Sequence, residues 1–457
     1  MFLARSRLWR RDAPEVESGL LEEKTSQEHA SRHGERPCVA IHWLEIDGDM
    51  GMRNMPQRTA TGETFPVFKR WTMSRLQLPW FEFFAGGGMA RLGLGRNWKC
   101  TFANDSCEKK ARAYRSYFGP SPELKVADVC QLETRDLPGT PELIWASFPC
   151  QDLSLAGNGA GLKGSRSGTF VPFWNLTKRL IEEGRGPRII VLENVAGAIT
   201  SHNGRDFTTI VRVMAEAGFR VGALLIDAAR FLPQSRPRLF IVAVKNGVLI
   251  PKDLINDESC GSWSPESLRK AYTNLPPSLQ SVWMWWRLPE QTIRTSPLSS
   301  LIEKNPRNVQ WHDPRETARI ISMMSDLNKS KLLDVQRAGG QKIGTVYRRT
   351  RPTGVGRAKT QRAEIRFDEI SGCLRTPVGG SSRQIIVVVE GRNVRSRLLS
   401  PREAARLMGV PENYPLPSNY NEAYHLFGDG LAVPVVSWLE KWLLRPLAYC
   451  REPKKAA

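Results

Sequence analysis

The sequence predicts an α/β protein with a doubly wound, Rossmann-like sheet and a smaller, irregular domain. Between residues 79 and 245, short apolar runs that end in polar residues alternate with stretches of helical spacing. The first run is followed at once by three glycines, which is how a nucleotide-binding βα unit begins. The alternation then stops, and residues 246–395 are irregular and rich in Arg, Lys, Pro and Gly. These three observations favour two lobes of different construction.

Composition and charge restrict the class of partner. The 457 residues carry a formal net charge of +20. Such an excess of cations favours a polyanionic partner such as nucleic acid, although a solvated basic surface gives the same count. Eight cysteines are scattered without Cys-x-x-Cys pairs, so we predict neither a disulfide framework nor a metal site, and we expect a reducing compartment. No apolar run is long enough to cross a bilayer, so we expect a cytoplasmic protein without membrane contact.

The turn after the first predicted strand is a candidate ligand site. Residues 80–85 form an apolar run, and Gly86, Gly87 and Gly88 follow it. Glycines let a backbone approach a ligand, and a helix start offers free N–H groups, but an ordinary tight turn has the same composition. Arg91 stands where the dinucleotide fingerprint requires Gly or Ala. This argues against NAD and is compatible with a shorter adenosine ligand.

Acidic residues end the next two predicted strands. Asp105 follows the run 100–104, about 20 residues beyond the glycines, where an acid can accept hydrogen bonds from ribose hydroxyls. The N-cap of a helix from Glu108 is an equally natural role for Asp105. Asp128 ends a short strand over 126–128. It is suited to bind an adenine amino group, or else it caps a turn.

A cysteine follows the fourth predicted strand. The apolar run 143–146 is too short for a helix, and Pro149 ends it because proline cannot donate to a strand ladder. Cys150 is therefore placed at a strand-to-loop corner, before a long loop rich in glycine, and this arrangement suits a nucleophile. On this stretch alone, a buried structural thiol is the simpler interpretation.

Charged residues are predicted at the same edge of the sheet. Glu193 ends a continuous apolar strand, so it lies where open α/β sheets bind ligands, on the side of Cys150. Arg236 and Arg238 precede the strand 239–244, and their spacing of two places both side chains on one face. Surface charge is the alternative interpretation of the two arginines.

Basic and polar residues beyond the sheet are candidates for nucleic-acid contact. Basic tracts suit phosphate contacts, and a compact polar loop suits contacts to base edges. The tryptophans at 283, 285 and 286 are interpreted as core of the smaller lobe. The candidate contacts are Arg348, Arg349, Arg351, Ser381, Ser382, Arg383 and Gln384.

The C-terminal part returns to regular patterning. Ser400, Pro401 and Glu403 predict the start of a helix closed by a capping box. Residues 427–431 predict a turn, and residues 433–444 predict a helix with a broad apolar face that packs back on the first βα unit.

Taken in order, these motifs resemble those of the cytosine-5 DNA methyltransferase family, in its prokaryotic, modification-methylase form. The resemblance runs from about Phe81 to Leu447. Each motif is short, but six of them in the family's order, around a variable basic segment, are very specific. The motifs are Phe84-Ala85-Gly86-x-Gly88 (I), Pro149-Cys150-Gln151 (IV), Glu193-Asn194-Val195 (VI), Gln234-x-Arg236-x-Arg238 (VIII), Arg406-Leu407-Met408-Gly409-Val410-Pro411 (IX) and Gly428-Asp429-Gly430 (X).

The resemblance implies a reaction and roles for these residues. The Cys150 thiolate would attack carbon 6 of cytosine, and Glu193 would bond ring nitrogen 3. Arg238 would bond oxygen 2, with Arg236 supporting it. The substrate would be double-stranded DNA with the target base flipped out of the helix. S-adenosylmethionine would be the methyl donor, without a metal, and its implied contacts are Phe84, Ala85, Gly86, Gly87, Gly88, Asp105, Asp128 and Val129.

Three departures from the family pattern leave questions open. Glu82 replaces an Asp, Met89 replaces a Gly, and Asp429 stands where the family usually has Asn. A carboxylate at 429 would lie unfavourably near the carboxylate of the cofactor, so Asp429 is not predicted as a ligand. The alternatives are a tRNA-modifying enzyme of the same family and an inactive, DNA-binding relative. A cysteine hydrolase is disfavoured because no histidine lies among the sheet-edge motifs.

The resemblance also divides the chain. We expect a monomer that acts alone or with a separate, cognate restriction endonuclease. Met73 is an alternative start, because the residues before it show little periodicity. The predicted parts are a poorly ordered extension over 1–78, a catalytic and cofactor-binding domain over 79–245, a target-recognition domain over 246–395, a C-terminal segment returning to the catalytic domain over 396–447, and a tail over 448–457.

Overall fold

The computed structural model describes residues 77–149, 168–259, 261–291, 296–352, 359–375 and 383–451. Three of the predicted site residues, Cys150, Ser381 and Ser382, lie outside these ranges. For Arg351 only the backbone is described.

A seven-stranded sheet forms the centre of the protein. Its spatial order is β3-β2-β1-β4-β5-β7-β6, and only β7 runs antiparallel to its neighbours. The strand order reverses between β1 and β4, which is where open α/β sheets bind ligands. The elements are β1 (Leu78–Phe83), α1 (Met89–Leu94), β2 (Trp98–Asp105), α2 (Glu108–Phe118), β3 (Leu124–Val126), β4 (Leu143–Ala146), α3 (Phe170–Glu182), β5 (Ile189–Val195), α4 (Arg205–Glu216), β6 (Phe219–Asp227) and β7 (Pro237–Lys245). This confirms the predicted doubly wound α/β class.

Both faces of this sheet are covered, which explains its continuous apolar strands. Trp80 and Phe81 are neighbours on β1 that point to opposite faces, and both are fully buried. Trp80 belongs to a core that includes residues of α1, α2 and the C-terminal helices. Phe81 belongs to a second core that includes residues of α3 and α4.

The segment from 246 to 398 is more regular than predicted. It contains β8 (Ile255–Asn256), α5 (Glu266–Thr273), α6 (Pro277–Gln280), β9 (Trp285–Trp286), α7 (Pro314–Ser322), α8 (Asp326–Ala338), β10 (Gln341–Pro352), β11 (Lys359–Arg366), β12 (Ile385–Glu390) and β13 (Asn393–Leu398). The strands form an antiparallel sheet in the order β11-β10-β12-β13, besides the small pair β8–β9. On β11, buried Ala363 and Ile365 alternate with charged Arg362, Glu364 and Arg366, so the Arg-rich composition obscured a strand of period two.

The tryptophans of this segment lie on the large sheet. Trp283 forms a bridge to Val221 of β6, and Met284 donates its backbone N–H to the Val221 carbonyl at 2.8 Å. Trp285 and Trp286 are buried in the two cores of the large sheet. Their interpretation as core of the smaller lobe is therefore wrong, because residues that follow β6 in sequence return to pack on it.

The C-terminal segment packs on the first βα unit. It contains α9 (Pro401–Leu407), α10 (Tyr420–Asp429), α11 (Val433–Leu439), a π-helical turn (Glu440–Leu444) and α12 (Arg445–Tyr449). The capping box of Ser400 and Glu403 is present, as predicted. The predicted turn at 427–431 is instead the end of α10. A Cβ on Gly93 of α1 would lie 2.4 Å from Val436 of α11, so these two helices are in close contact. None of the described helices could span a membrane.

Candidate active site

A buried carboxylate and an arginine meet at the end of β5. The Nε atom of Arg238 on β7 lies 3.0 Å from Oε1 of Glu193, whose side chain is 10% exposed. Burial raises the pKa of Glu193, because a carboxylate loses its hydration there, while Arg238, Arg236 and a hydrogen bond from Ser147 act in the opposite direction. The carboxyl group therefore holds a proton more readily than an ordinary glutamate, although a cation lies beside it. Two of the residues predicted for the site are thus neighbours in space.

The chain that leads to Cys150 is fixed beside this pair. Asn194 donates its side-chain amide to the Phe148 carbonyl at 3.0 Å, and Trp145 donates its indole N–H to the Ser147 hydroxyl at 3.0 Å. Phe148 is buried and Pro149 is exposed, so the chain emerges at this edge. Sequence reasoning quoted Asn194 as part of a motif but gave it no role. The position of Asn194, directly after the carboxylate of Glu193 near the end of a strand, could have indicated this role.

Arg236 connects parts of the chain that are distant in sequence. It is 2% exposed, and one terminal nitrogen donates to the Leu374 carbonyl at 3.0 Å. The other donates to the carbonyls of Gly428 and Gly430, at 2.9 and 2.6 Å. Burial, together with the charge of Arg238, lowers the pKa of Arg236 to about 10. Both terminal nitrogens of Arg236 thus serve main-chain carbonyls, and its predicted role in support of Arg238 stays a prediction.

Gln234 has a similar connecting role. Its side chain is fully buried, its amide nitrogen donates to the Leu407 carbonyl at 2.6 Å, and its oxygen accepts from the Leu374 N–H at 3.1 Å. Of the three polar residues in this motif, Arg238 is therefore the one that faces Glu193. The other two join the large sheet to the segments around Leu374 and Leu407.

Among the three glycines after β1, Gly86 is the one that faces open space. Its φ is +56°, and a Cβ placed on it would meet no atom within 4 Å. A Cβ on Gly87 would lie 2.8 Å from the Tyr414 hydroxyl, and one on Gly88 would lie 2.4 Å from the Phe118 ring. Gly87 and Gly88 are thus required by internal packing.

The acids at the ends of β2 and β3 shape their own turns. Asp105 accepts from the backbone N–H of Gly86 and from that of Cys107, both at 2.8 Å. Asp128 accepts from the backbone N–H of Cys130 at 2.9 Å, which is the capping role kept as an alternative, and Val129 is buried within that turn. Carboxylate oxygens accept more than one hydrogen bond, so both acids keep capacity for a ligand. Open space at Gly86, with Asp105 directly beside it, fits an adenosine-containing donor.

The residues predicted to contact DNA differ in how far they are exposed to solvent. Arg349 is exposed and pairs with Glu364 at 3.2 Å, and Arg348 is half-buried on the same strand. Arg383 donates to the Asn421 side chain and lies 5.6 Å from the centre of the Tyr420 ring. Gln384 is fully buried.

The prediction that Gln384 reads bases does not fit this placement. Its side chain donates to the Val346 carbonyl at 3.2 Å, and its backbone N–H donates to the Tyr424 hydroxyl at 2.9 Å. A side chain without exposed surface cannot reach a groove of DNA. The sequence shows a polar loop before β12, but it does not show where along the chain burial begins. Gln384 was therefore assigned to the exposed loop.

The comparison with protein families agrees with this geometry. The family model of the C-5 cytosine-specific DNA methylase matches residues 78–444. The chain belongs to this family. The family's reaction, methylation of carbon 5 of cytosine in DNA, is the enzyme activity predicted from the motifs, and it implies S-adenosylmethionine as methyl donor. Among the residues that the structure describes, no group of three or more His, Cys, Asp or Glu side chains is arranged to hold a metal ion.

Individual relatives are similar over most of their length. The Type II methyltransferase M1.ScrFI of Lactococcus lactis subsp. cremoris is 27% identical over 80% of this chain and 78% of its own. The Type II methyltransferase M.HhaI of Haemophilus parahaemolyticus is 23% identical over 79% of this chain and 93% of its own. A solved structure of a Spodoptera frugiperda DNMT2 mutant shares the fold, with a TM-score of 0.54 at 18% identity over 81% of this chain and 99% of its own.

Proposed function

We propose that this methylase modifies cytosine within a specific double-stranded DNA sequence, through a covalent adduct between Cys150 and a flipped-out base. The observation that carries the proposal is the buried pair of Glu193 and Arg238, 3.0 Å apart, beside the chain that leads to Cys150. A cytosine inside a duplex cannot reach a buried pair, so the base must leave the stack. The cost of unstacking is about a few kcal/mol.

The covalent step makes carbon 5 of cytosine reactive toward the methyl donor. Carbon 5 of cytosine is too weakly nucleophilic to accept a methyl group unaided. The Cys150 thiolate bonds to carbon 6, and the electron pair of the 5,6 double bond becomes available at carbon 5. After methylation a base removes the proton from carbon 5, the double bond re-forms, and the thiolate leaves.

Glu193 and Arg238 stabilise the charge that this attack creates. Electron density moves toward ring nitrogen 3 and oxygen 2 of the cytosine. A protonated Glu193 donates to nitrogen 3, and its raised pKa favours the proton that this bond requires. Arg238 donates to oxygen 2, and its charge also favours the nearby thiolate. Preorganised donors in a buried site act more strongly than the same groups in water.

The loop after β1 is the proposed site of the methyl donor. S-adenosylmethionine supplies an electrophilic methyl group on a sulfonium. Gly86 offers open space for its approach, Asp105 faces the ribose hydroxyls, and Asp128 with Val129 faces the adenine. Phe84 and Ala85 complete the contact at the switch between β1 and β4, where the donor lies on the same edge as Glu193.

Recognition of a specific sequence is proposed for the segment between β10 and β12. Arg349 and the neighbouring arginines of β10 supply contacts to phosphates, and the loop before β12 supplies contacts to bases. The relatives named above carry the name Type II methyltransferase. By that analogy we propose a separate cognate restriction endonuclease as functional partner, and a monomer that acts in a prokaryotic cytoplasm.

Covalent trapping tests this proposal. In the presence of S-adenosylmethionine, carbon 5 of a 5-fluorocytosine is methylated but carries fluorine in place of the proton that must then leave. The adduct should therefore persist and migrate as a protein–DNA band in a denaturing gel. Cys150→Ser should give no band while it still binds DNA and S-adenosylhomocysteine. Cys450→Ser, which removes a different thiol that is partly exposed, should give the band.

Two outcomes would contradict the proposal. A band from Cys150→Ser would remove Cys150 from the mechanism. Expression in a host that lacks cytosine methylation, followed by bisulfite sequencing, should show protection in one short context. Methyl transfer to tRNA, without protection of any cytosine in DNA, would show that the substrate is tRNA and not DNA.

A further inference from the structure

An ion pair borders the proposed donor site and has no place in the mechanism described above. Lys110, in the first turn of α2, has its Nζ atom 2.8 Å from Oδ2 of Asp429, at the end of α10. The two residues are 319 positions apart in sequence. The side chain of Lys110 is 25% exposed and that of Asp429 is 43% exposed, so both groups are still accessible.

The position of Asp429 is determined by the residues on either side of it. Arg236 holds the carbonyls of Gly428 and Gly430. Gly430 lies directly against Met89, since a Cβ on Gly430 would meet the Met89 sulfur at 2.1 Å. Met89 follows Gly88, so Asp429 is held next to the glycine loop.

Lys110 borders the same loop from the side of β2. Burial alone would lower the pKa of Lys110, but the carboxylates of Asp429 and Asp105 raise it above its usual value. Asp105 in turn accepts from the N–H of Gly86, where the backbone is open. The ammonium of Lys110 therefore contacts the carboxylate of Asp429 and interacts electrostatically with the carboxylate that holds the loop.

We propose that Lys110 and Asp429 together bind the amino-acid end of the methyl donor. That end is a zwitterion, with a carboxylate and an ammonium on one carbon. A lysine and an aspartate held side by side are complementary to it: Nζ of Lys110 donates to the carboxylate, and Asp429 accepts from the ammonium. Lys110 also removes the repulsion that Asp429 would exert on the donor's carboxylate. The inference rests on the proposed assignment of S-adenosylmethionine to this loop.

The same two helices carry a matched control. Lys109 of α2 pairs with Glu422 of α10 at 3.0 Å, and its side chain is 61% exposed. The Lys109–Glu422 pair joins the same helices, but Glu422 lies two helical turns before the glycine-flanked Asp429. If the Lys110–Asp429 pair only joins the helices, removing either lysine should have the same effect.

Calorimetric titration with two ligands tests the inference. S-adenosylhomocysteine keeps the amino-acid end, and 5′-methylthioadenosine lacks it. For Lys110→Met we expect the Kd for S-adenosylhomocysteine to rise about tenfold or more, as expected when a charged hydrogen bond is lost and Asp429 is left unpaired. The Kd for 5′-methylthioadenosine should change less than about twofold, and Lys109→Met should bind both ligands as the wild type does. Adding Asp429→Asn to Lys110→Met should recover part of the lost affinity, because the repulsion is removed.

The titrations distinguish a failure of this inference from a failure of the proposed donor site. Equal losses for both ligands in Lys110→Met, or no loss relative to Lys109→Met, would overturn the inference and leave the donor assignment intact. A wild type that binds neither ligand would overturn the donor assignment and this inference together. The thermal unfolding midpoint of each variant identifies any loss of affinity that is caused by misfolding.

Discussion

Two buried pairs of arginine and glutamate differ in how many hydrogen-bond donors surround the carboxylate. Glu403 and Arg397 are both fully buried, and the arginine donates to both oxygens, at 2.8 and 2.6 Å. Two backbone N–H groups, those of Ser400 and Glu303, also donate to Glu403 at 2.7 Å. Glu193, by contrast, forms its ion pair with the Nε atom of Arg238, and the Glu193 side chain is still 10% exposed.

The difference separates a structural pair from one suited to chemistry. The four donors around Glu403 leave little capacity for another partner, so this pair serves to hold β13, α9 and the segment around Glu303 together. Glu193 keeps capacity for a substrate, and its pKa is raised by burial. Glu82 is a third case, because it is buried, its Oε2 has no hydrogen-bond partner among the described residues, and burial raises its pKa to about 8.

The largest effect is expected for the saturated pair. Arg397→Met should lower the free energy of unfolding by about 3–5 kcal/mol, because Glu403 is left buried without its partner. Chemical unfolding measures this. Replacing both residues, as Arg397→Met with Glu403→Leu, should recover most of the loss. A cost below about 1 kcal/mol for the single variant would show that the pair is not the structural element described here.

Glu193→Gln should affect turnover and leave stability nearly unchanged. We expect kcat to fall about 10²–10³-fold, as for the loss of one preorganised donor at a developing charge. Because the pKa of Glu193 is raised, its protonated form persists to higher pH than for an ordinary glutamate. Wild-type turnover should therefore decline as the pH rises through that pKa, and a pH profile of Glu193→Gln should lack this decline. An unchanged kcat would remove Glu193 from the reaction.

Glu82 should make stability depend on pH. In the unfolded chain it loses its proton near pH 4.5, and in the folded protein near pH 8. The folded state holds the extra proton between these values, so stability should fall as the pH rises from about 4.5 to about 8. Between pH 5 and 8.5, the difference in unfolding free energy between wild type and Glu82→Gln should change by roughly 2–4 kcal/mol. Parallel pH curves for the two proteins would contradict the buried, uncharged state of Glu82.

Much of the catalytic edge was predictable because its signals are local. Glu193 was predicted from an apolar strand that ends in a carboxylate, and parallel strands bring such ends to one edge. The Ser400–Glu403 capping box is local in the same way. The prediction for Gln384 failed because the first residue of a buried strand looks like the last residue of a polar loop. The β10–β11 hairpin was missed because only one of its faces is apolar.

The sequence by itself determined the α/β class, the order of the motifs and the candidates Cys150, Glu193 and Arg238, since each depends on residues within a few positions of one another. Only the tertiary structure decided which residues serve packing and which face a ligand. Gly86 opens to solvent while Gly87 touches Tyr414, and Arg236 joins backbone segments while Arg238 faces Glu193. Asp429 acquires Lys110 as a partner from 319 residues away. Contacts over such distances follow no period along the chain, so they become visible only when the chain is folded.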